Sequence, residues 1–421
     1  MVALASLAAA ACSSTNSSSA TTTSSTGSAG STIPSSAMSD HTGITSTTVN
    51  VANVSTLTGG LFKGAAVGTQ AYADYINSTG GVNGRKIVVD SGDDSFTGAG
   101  NKQATQNGIT NGFALVGGFS LEDSFGGTLL AQNPGVPDVT VTLDPTTNKL
   151  PNVFSPVPAS GGWEEGSLQY FKKKFPQGVQ AVGTLVGDEK SAESAWAGEK
   201  YVMEQIGYKV VYDATYDITQ TDFTQNIIAM KNAGVKMLFI EQAPENYASS
   251  VLQALAQQNF HPIVVLGAST YSNALVSASG GASAVNGDYL SQNSSLYLGQ
   301  DEAAIPAVGT FLHWVNVASP GFKPDLFTLY GWLSAELFAQ ALKNAGTNPS
   351  RGSILQALSK ITTFDGDHIV APNDPAAKTL SNCYLLAQVV NGDFQRVDDP
   401  PVSSSTHGYR CDYQYVTPPG S

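Results

Sequence analysis

The chain has 421 residues, of which 41% are hydrophobic and only 13% charged, and it carries 43 glycines. That length and apolar content allow two or more folding units with sizeable cores and exclude a solvated tail. The formal charge of −13 argues against a nucleic-acid or anionic-membrane surface, because both select Lys/Arg patches.

Residues 2–11 are apolar, small and uncharged, and they end at Ala9-Ala10-Ala11-Cys12. The run is too short to span a bilayer. It reads as the end of a secretory apolar region followed by the small-residue–Cys pattern of lipoprotein processing, in which the thiol receives the lipid. Cys12 is the expected lipidation site, which puts the protein outside the cell and anchored at the outer face of the cytoplasmic membrane. Residues 13–46 are dominated by Ser, Thr, Gly and Ala. Such a stretch buries too little apolar area to offset its ordering entropy, so a flexible tether is expected.

The folded part starts near Thr47. Val49, Val51 and Val54 predict a first strand. Over 62–77, Val67, Ala71 and Tyr75 with Ala65, Tyr72 and Ile76 recur near helical spacing and predict a helix with one apolar side. Gly80-Gly81 ends it, Asn83-Gly84 turns the chain, and Ile87-Val88-Val89 is a short β-branched run that predicts a buried strand. The alternation repeats: helix 98–111, strand 113–117, helix 122–132, strand 136–141. Phe154-Ser155-Pro156-Val157-Pro158 is extended and predicts the first crossing to a second lobe. There the helices are expected at 163–175, 191–206, 222–232 and 246–258, with Asp222 as an N-cap. Strands are expected at 181–186, 209–212, 237–240 and 263–266. A return to the first lobe is expected near 287–290, followed by helices at 305–317, 325–345 and 353–360. Residues 384–390, Asn391-Gly392 and residues 394–397 form a hairpin signal, because Asn-Gly suits a type I′ turn.

Helix–turn–strand alternation of this kind defines an α/β fold with parallel sheets. The expected architecture is two doubly wound parallel-sheet lobes, joined by a multi-strand hinge with a ligand cleft between them. Lobe 1 comprises residues 47–157 and 289–381; lobe 2 comprises 158–288 and 382–421. Cys383 and Cys411 are the only cysteines after Cys12, and in an exported chain such a pair is expected to be bridged.

Enzyme signatures are missing. Gly118-Phe119-Ser120-Leu121-Glu122 lacks the last glycine of a nucleophile elbow. There is no GxxxxGK[ST] loop, no GxGxxG opening the first helix and no zinc spacing. The five His are scattered. The carboxylate pairs Asp93-Asp94, Glu164-Glu165 and Asp398-Asp399 are sequence neighbours, whose side chains usually diverge. No catalytic residue, metal or cofactor is expected. What remains is a cleft at the carboxyl ends of the strands, where ligands of open α/β sheets bind. Two lobes on extended linkers can close on such a ligand as a hinge.

At this point the residues resemble a family: the type 1 periplasmic binding proteins, specifically the branched-chain amino-acid components of ABC importers. Gly80-Gly81-Val82-Asn83-Gly84-Arg85-Lys86-Ile87 with Asp93-Asp94 resembles its glycine turn, strand and acidic loop. Leu115-Val116-Gly117-Gly118 resembles its third strand. Thr221-Asp222-Phe223 to Ile227, with Gly234-Val235-Lys236-Met237-Leu238-Phe239, resembles a helix and the strand after it. The likeness covers residues 47–397 through the order of its fragments.

The resemblance implies ligand contacts from Phe119, Ser120, Leu121, Thr142 and Asp144 in the first lobe, and from Asp188, Glu241, Gln242, Ser269 and Tyr271 in the second. Leu121 stands where a serine is common. Residues 188–193 keep the Asp and lack the family's Tyr, and Ser269 stands near the family's acidic, ammonium-binding position. Trp163 and Trp196 could add an aromatic wall, although packing is their commoner role. The resemblance implies a monomeric, extracytoplasmic binding protein that hands a small polar organic molecule, an amino acid or a related amide or carboxylate, to an ABC permease. A ligand-sensing domain for a membrane receptor is the alternative, and a hydrolase is a third.

Overall fold

The computed structural model describes residues 33–158, 161–217, 219–240 and 243–419, all of which fall within one compact unit. The first sheet contains β1 (Thr48–Ser55), β2 (Lys86–Asp93), β3 (Ala114–Val116), β4 (Asp138–Val139) and β5 (Val153–Phe154), in the order β2-β1-β3-β4-β5. Every pairing in it is parallel, with Thr48 opposite Lys86 and Ser55 opposite Asp93. The strand order reverses between β1 and β3, so the loops leaving those two strands flank the switch point of the sheet.

The helices α1 (Lys63–Ser78), α2 (Gly98–Asn111), α3 (Asp123–Gln132) and the single turn α4 (Pro145–Asn148) follow β1, β2, β3 and β4 respectively. Each predicted element of this lobe is present; β1 and β2 run beyond their apolar residues, and β3 and β4 are shorter than the runs that predicted them. The lobe is completed from far along the chain by α11 (Pro306–Ala318), α12 (Leu326–Asn344) and α13 (Arg351–Leu358). Packing of α1 on α12 is unusually close. A Cβ on Gly68 would lie 1.9 Å from the Thr328 carbonyl, and one on Gly331 would lie 2.1 Å from that of Ala65. The matching close contacts, Gly64 with Asp325 and Gly68 with Trp332, show that the two helices run in the same direction. The N-terminus of α12 therefore sits at the carboxyl edge of the sheet, beside that of α1. Asp325 and Thr328 form a capping box there, satisfying amide groups that would otherwise be orphaned.

The second lobe starts with β6 (Trp163–Glu164) and α5 (Glu165–Lys174). Its seven-stranded sheet runs β13-β12-β11-β10-β9-β7-β8. The strands are β7 (Val182–Gly187), β8 (Val210–Tyr216), β9 (Met237–Ile240), β10 (Ile263–Leu266), β11 (Tyr289–Gln292), β12 (Leu385–Val390) and β13 (Asp393–Arg396). Alternating with them are α6 (Lys190–Gln205), α7 (Thr224–Ala233), α8 (Glu245–Gln257) and the short α9 (Leu275–Ala278) and α10 (Ala282–Val285). β12 and β13 are the predicted hairpin, added antiparallel to the edge at β11.

Four expectations need correction. Residues 33–46 are not all tether. Ser35–Ser39 is a 3-10 turn with Ala37 buried, and Arg351 holds this segment through the Asp40 carboxylate at 3.0 Å and its own amide to the Asp40 carbonyl at 2.9 Å. A few apolar residues and one specific partner decide this, and averaged composition hides them. The return to the first lobe also comes later than expected: 289–292 pairs parallel with β10 before the chain leaves the second sheet. Trp163 and Glu164 are not helical, because they pair antiparallel with β14 (Tyr415–Val416) from the far end of the chain. Lastly, the residue before α7 is Phe223; Asp222 accepts the Thr224 amide at 2.8 Å from one residue further out.

Three segments join the lobes, near residues 155–158, 293–296 and 369–384. The second and third pair with each other: the Ser295 amide donates to Ile369 at 2.7 Å and the Ala371 amide to Asn293 at 2.7 Å. Asn373 links the first and third, donating to the carbonyls of Pro156 at 3.2 Å and Ala371 at 2.8 Å. Beyond the third segment, Cys383 and Cys411 form the expected disulfide, closing a separation of 28 residues. Among the described residues, no helix is long and apolar enough to cross a membrane.

Candidate functional site

The site is built at the carboxyl ends of the first sheet. Asp93 ends β2, Asp94 follows it, and the two act on different loops. Asp93 accepts the Leu57 amide at 2.9 Å, the Thr58 amide at 3.2 Å and the Thr58 hydroxyl, fixing the loop after β1. The Thr58 hydroxyl and the backbone amides around it hold its carboxyl down to about 2. Asp94 is fully buried. It accepts the Thr56 hydroxyl at 3.1 Å, the Asn101 amide at 3.3 Å, the Phe96 backbone amide at 2.9 Å and the Ser120 hydroxyl. The loops leaving β1, β2 and β3 thus meet on one carboxylate.

A second, half-buried carboxylate does the same for the neighbouring loop. Asp123, at the start of α3, accepts the Thr142 hydroxyl at 2.6 Å and the amides of Leu143 at 2.5 Å and Asp144 at 3.1 Å. Burial pushes its pKa up, against the pull of those donors. Asp144 accepts the Thr147 amide and hydroxyl at 2.8 Å each, capping α4.

The expected first-lobe residues are therefore gathered in one place, but three of the polar ones serve the protein. The hydroxyls of Ser120 and Thr142 donate to Asp94 and Asp123, and the Asp144 carboxylate caps a helix. What this edge presents is aromatic. Phe119 packs on Phe62 at 4.8 Å and on Phe327 at 4.7 Å between ring centroids, and Phe62 packs on Phe327 at 4.6 Å. Tyr330, one turn along α12, lies 5.9 Å from Phe119. Phe62 and Phe119 are buried, whereas Phe327, Tyr330 and Leu121 are half-buried. Phe62, Phe327 and Tyr330 were not singled out in the sequence. Their only signal is position: Phe62 opens the first helix, and Phe327 and Tyr330 share a face of a helix 260 residues away.

The second lobe offers a different surface. Asp188 is exposed and its amide donates to Tyr216 at 2.8 Å. Glu189 beside it, and Glu245 at the start of α8, are half-buried, and burial pushes both carboxyls up. Tyr216 and Tyr247 lie 5.1 Å apart at the same edge. Ser269 donates to the Ala243 carbonyl at 2.9 Å. Tyr271 does not reach the cleft surface: it is 1% exposed, its ring packs on Tyr297 and Phe394, and its hydroxyl donates to Gln300 at 2.5 Å. Trp196 is buried and donates to Asp213 at 3.0 Å, so it is a core residue. Trp163 lies in β6, half-buried against the same core. Glu241, Gln242 and Cys12 lie outside the described residues.

Two parallel-sheet lobes joined by three hydrogen-bonded crossing segments define the two-lobed architecture of a binding protein. The family description "periplasmic binding protein" matches residues 48–393, and the chain belongs to that family, with the branched-chain amino-acid group as the one it resembles. A Leu/Ile/Val-binding protein homolog 1 of Brucella abortus is 25% identical over 292 residues, which is 67% of this chain and 73% of that one. A fatty acid ABC transporter substrate-binding protein from Thermomonospora curvata superposes with a TM-score of 0.70 at 17% identity, covering 91% of this chain and 95% of its own. The branched-chain amino-acid binding protein LivJ of Streptococcus pneumoniae, solved with isoleucine, gives a TM-score of 0.67 at 18% identity over 83% of this chain and 99% of its own. A solute-binding protein of R. palustris, solved with 4-hydroxybenzoate, gives 0.68 at 18% identity over 83% and 96%. Members of this family are binding proteins that work with ABC transporters.

Proposed function

We propose that this protein is the extracytoplasmic substrate-binding component of an ABC importer, without catalytic activity of its own. It captures a small organic molecule with an apolar body by closing its two lobes, then presents it to the permease. The observation that carries the ligand class is the aromatic edge of the first lobe. Phe327, Tyr330 and Leu121 stand half-buried there, while the hydroxyls of Ser120 and Thr142 donate to protein carboxylates. A ligand that relied on first-lobe hydroxyls for affinity would have to break those bonds, each made to a carboxylate and costing about 1.5–3 kcal/mol. A ligand with an apolar face gains from rings already in place. The names of the relatives point the same way, since isoleucine, fatty acids and 4-hydroxybenzoate each combine an apolar body with a carboxylate.

An ammonium on the ligand is assigned to the second lobe beside Asp188 and Glu189, and a carboxylate to the loops after β9 and β10, away from those acidic side chains. Lipidation at Cys12 and a monomeric state complete the proposal. A thermal-shift screen of the folded part against branched-chain and aromatic amino acids, aromatic acids, fatty acids and polyols tests the ligand class, because a ligand well above its Kd stabilises the fold. Hits among apolar-bodied acids or amino acids support the reading; hits confined to polyols would overturn it. Small-angle scattering at saturation then tests closure, with a smaller radius of gyration expected.

A further inference from the structure

Behind the first-lobe loops lies a cavity of about 40 Å³, lined among others by Thr105, Ser120, Asp123, Asp138, Thr140 and Thr142. By water-sized volumes it holds about three such bodies. It lies between the sheet and the start of α3, where Gly126 and Gly127 bring the backbone close. Added Cβ atoms there would meet the Thr105 hydroxyl at 2.4 Å and the Thr147 hydroxyl at 1.8 Å.

Asp138 takes no part in the loop network above it. It stands in β4, between β3 and the edge strand β5, and is 4% exposed. Its Oδ1 has no hydrogen-bond partner among the described residues. Buried without a counter-charge in contact, the carboxyl is pushed toward its neutral form, and a bound cation is what would hold it ionised. Lys378 contributes only through space; its ammonium donates to the carbonyls of Asn148, at 2.7 Å, and Leu150. The Thr140 hydroxyl lies beside the Asp138 carboxyl, and Asp123 adds a second negative charge.

We infer that this cavity is a binding site for a hard monovalent cation of the sodium class, with Asp138 Oδ1 as its charged ligand and threonine and serine oxygens around it. The donor set is all oxygen, which suits a hard cation. One free carboxylate oxygen matches one positive charge. Asp123 has already turned an oxygen to three donors, and the described residues hold no group of three acidic, His or Cys side chains that would suit a divalent or transition metal. The ion would sit directly beneath Ser120 and Thr142. It would stiffen the loops that form the first-lobe edge of the ligand cleft. This inference concerns the ion alone and stands whether or not the ligand reading above is right.

The test uses the protein as it exists, with sodium chloride and choline chloride at matched ionic strength. Sodium is expected to raise the melting temperature saturably, by about 2–4 °C, and Asp138→Asn to remove that increment. Equal melting in the two salts would overturn the site, as would an increment that persists in Asp138→Asn. If that variant does not fold, sodium-23 relaxation on the unsubstituted protein decides. An enhancement that saturates with sodium is expected; one that grows without saturating is diffuse counterion around an acidic surface and overturns the inference.

Discussion

The side-chain amide of Asn373 donates to the main-chain carbonyl of Pro156 at 3.2 Å, joining two crossing segments 217 residues apart in the chain. Its other hydrogen bonds run to the Ala371 carbonyl at 2.8 Å and from the Ser381 amide at 3.0 Å. One buried amide thus registers the first crossing against the third, and the third is paired to the second by backbone. Asn373→Leu leaves backbone groups unpartnered at the hinge. A loss of about 1–3 kcal/mol is expected, read by urea denaturation. Ligand affinity should shift with it, because the open–closed equilibrium depends on the same segments. Unchanged stability would show that the amide is dispensable.

The aromatic edge predicts a division between neighbouring substitutions. Phe327→Ala removes an exposed ring face and should weaken binding of the ligand found in the screen about tenfold, equivalent to roughly 1.4 kcal/mol. Tyr271→Phe should leave affinity within about twofold while costing about 1 kcal/mol of stability, since among the described residues its hydroxyl bonds Gln300 and the Leu298 amide. Isothermal titration beside a melting curve separates the two. A Tyr271→Phe variant that folds and fails to bind would place that hydroxyl on the ligand.

Four carboxyls are pushed up by burial: Asp138 to about 7, and Glu164, Asp288 and Glu336 to about 8. In the unfolded chain they titrate near about 4. Folding therefore takes up protons between those limits, and stability falls as pH rises through that window. Asp93, held down to about 2, has the opposite sign and acts only below about pH 4. Calorimetry should show the melting temperature dropping from pH 6 to pH 9. Asp288→Asn, which removes a carboxyl with an unpaired Oδ2, should flatten that slope; an unchanged slope would remove Asp288 from the account.

Reducing the Cys383–Cys411 bridge frees a separation of 28 residues. A chain-entropy estimate puts its contribution at about 3–4 kcal/mol. The loss should appear first as exchange of amides in β14 and β6, because the C-terminal segment beyond Cys411 is what the bridge holds against the second lobe. Hydrogen exchange with and without reductant reads this directly, and uniform loss of protection across both lobes would contradict it.

Arg396 and Asp301 make a two-point ion pair, at 2.7 Å and 2.6 Å, with Asp301 nearly buried and also accepting the Leu296 amide at 2.6 Å. Arg396→Met strands that carboxylate, so a loss of about 3–5 kcal/mol is expected, with part of it recovered by pairing the change with Asp301→Asn. A double-mutant cycle by denaturation measures the coupling.

What the sequence determined by itself was everything carried by local pattern. The periods of 3.6 and 2, the glycine stops at Gly80-Gly81 and the Asn391-Gly392 turn located nearly every helix and strand, and their alternation implied two parallel sheets. The loops gathered at the sheet edges follow from that order too, whereas Phe119, Ser120, Leu121 and Thr142 were grouped there by the family resemblance. What those side chains do was decided only by tertiary structure. Whether the Ser120 hydroxyl faces a ligand or a carboxylate depends on Asp94, 26 residues earlier, and on the burial of both. Phe327 reaches Phe119 only because Gly68 and Gly331 let α12 lie flat on α1. Trp163 is a strand residue because Val416 pairs with it. Hydrogen bonds and ring contacts of this kind join residues remote in the chain, and no local window of sequence contains both partners.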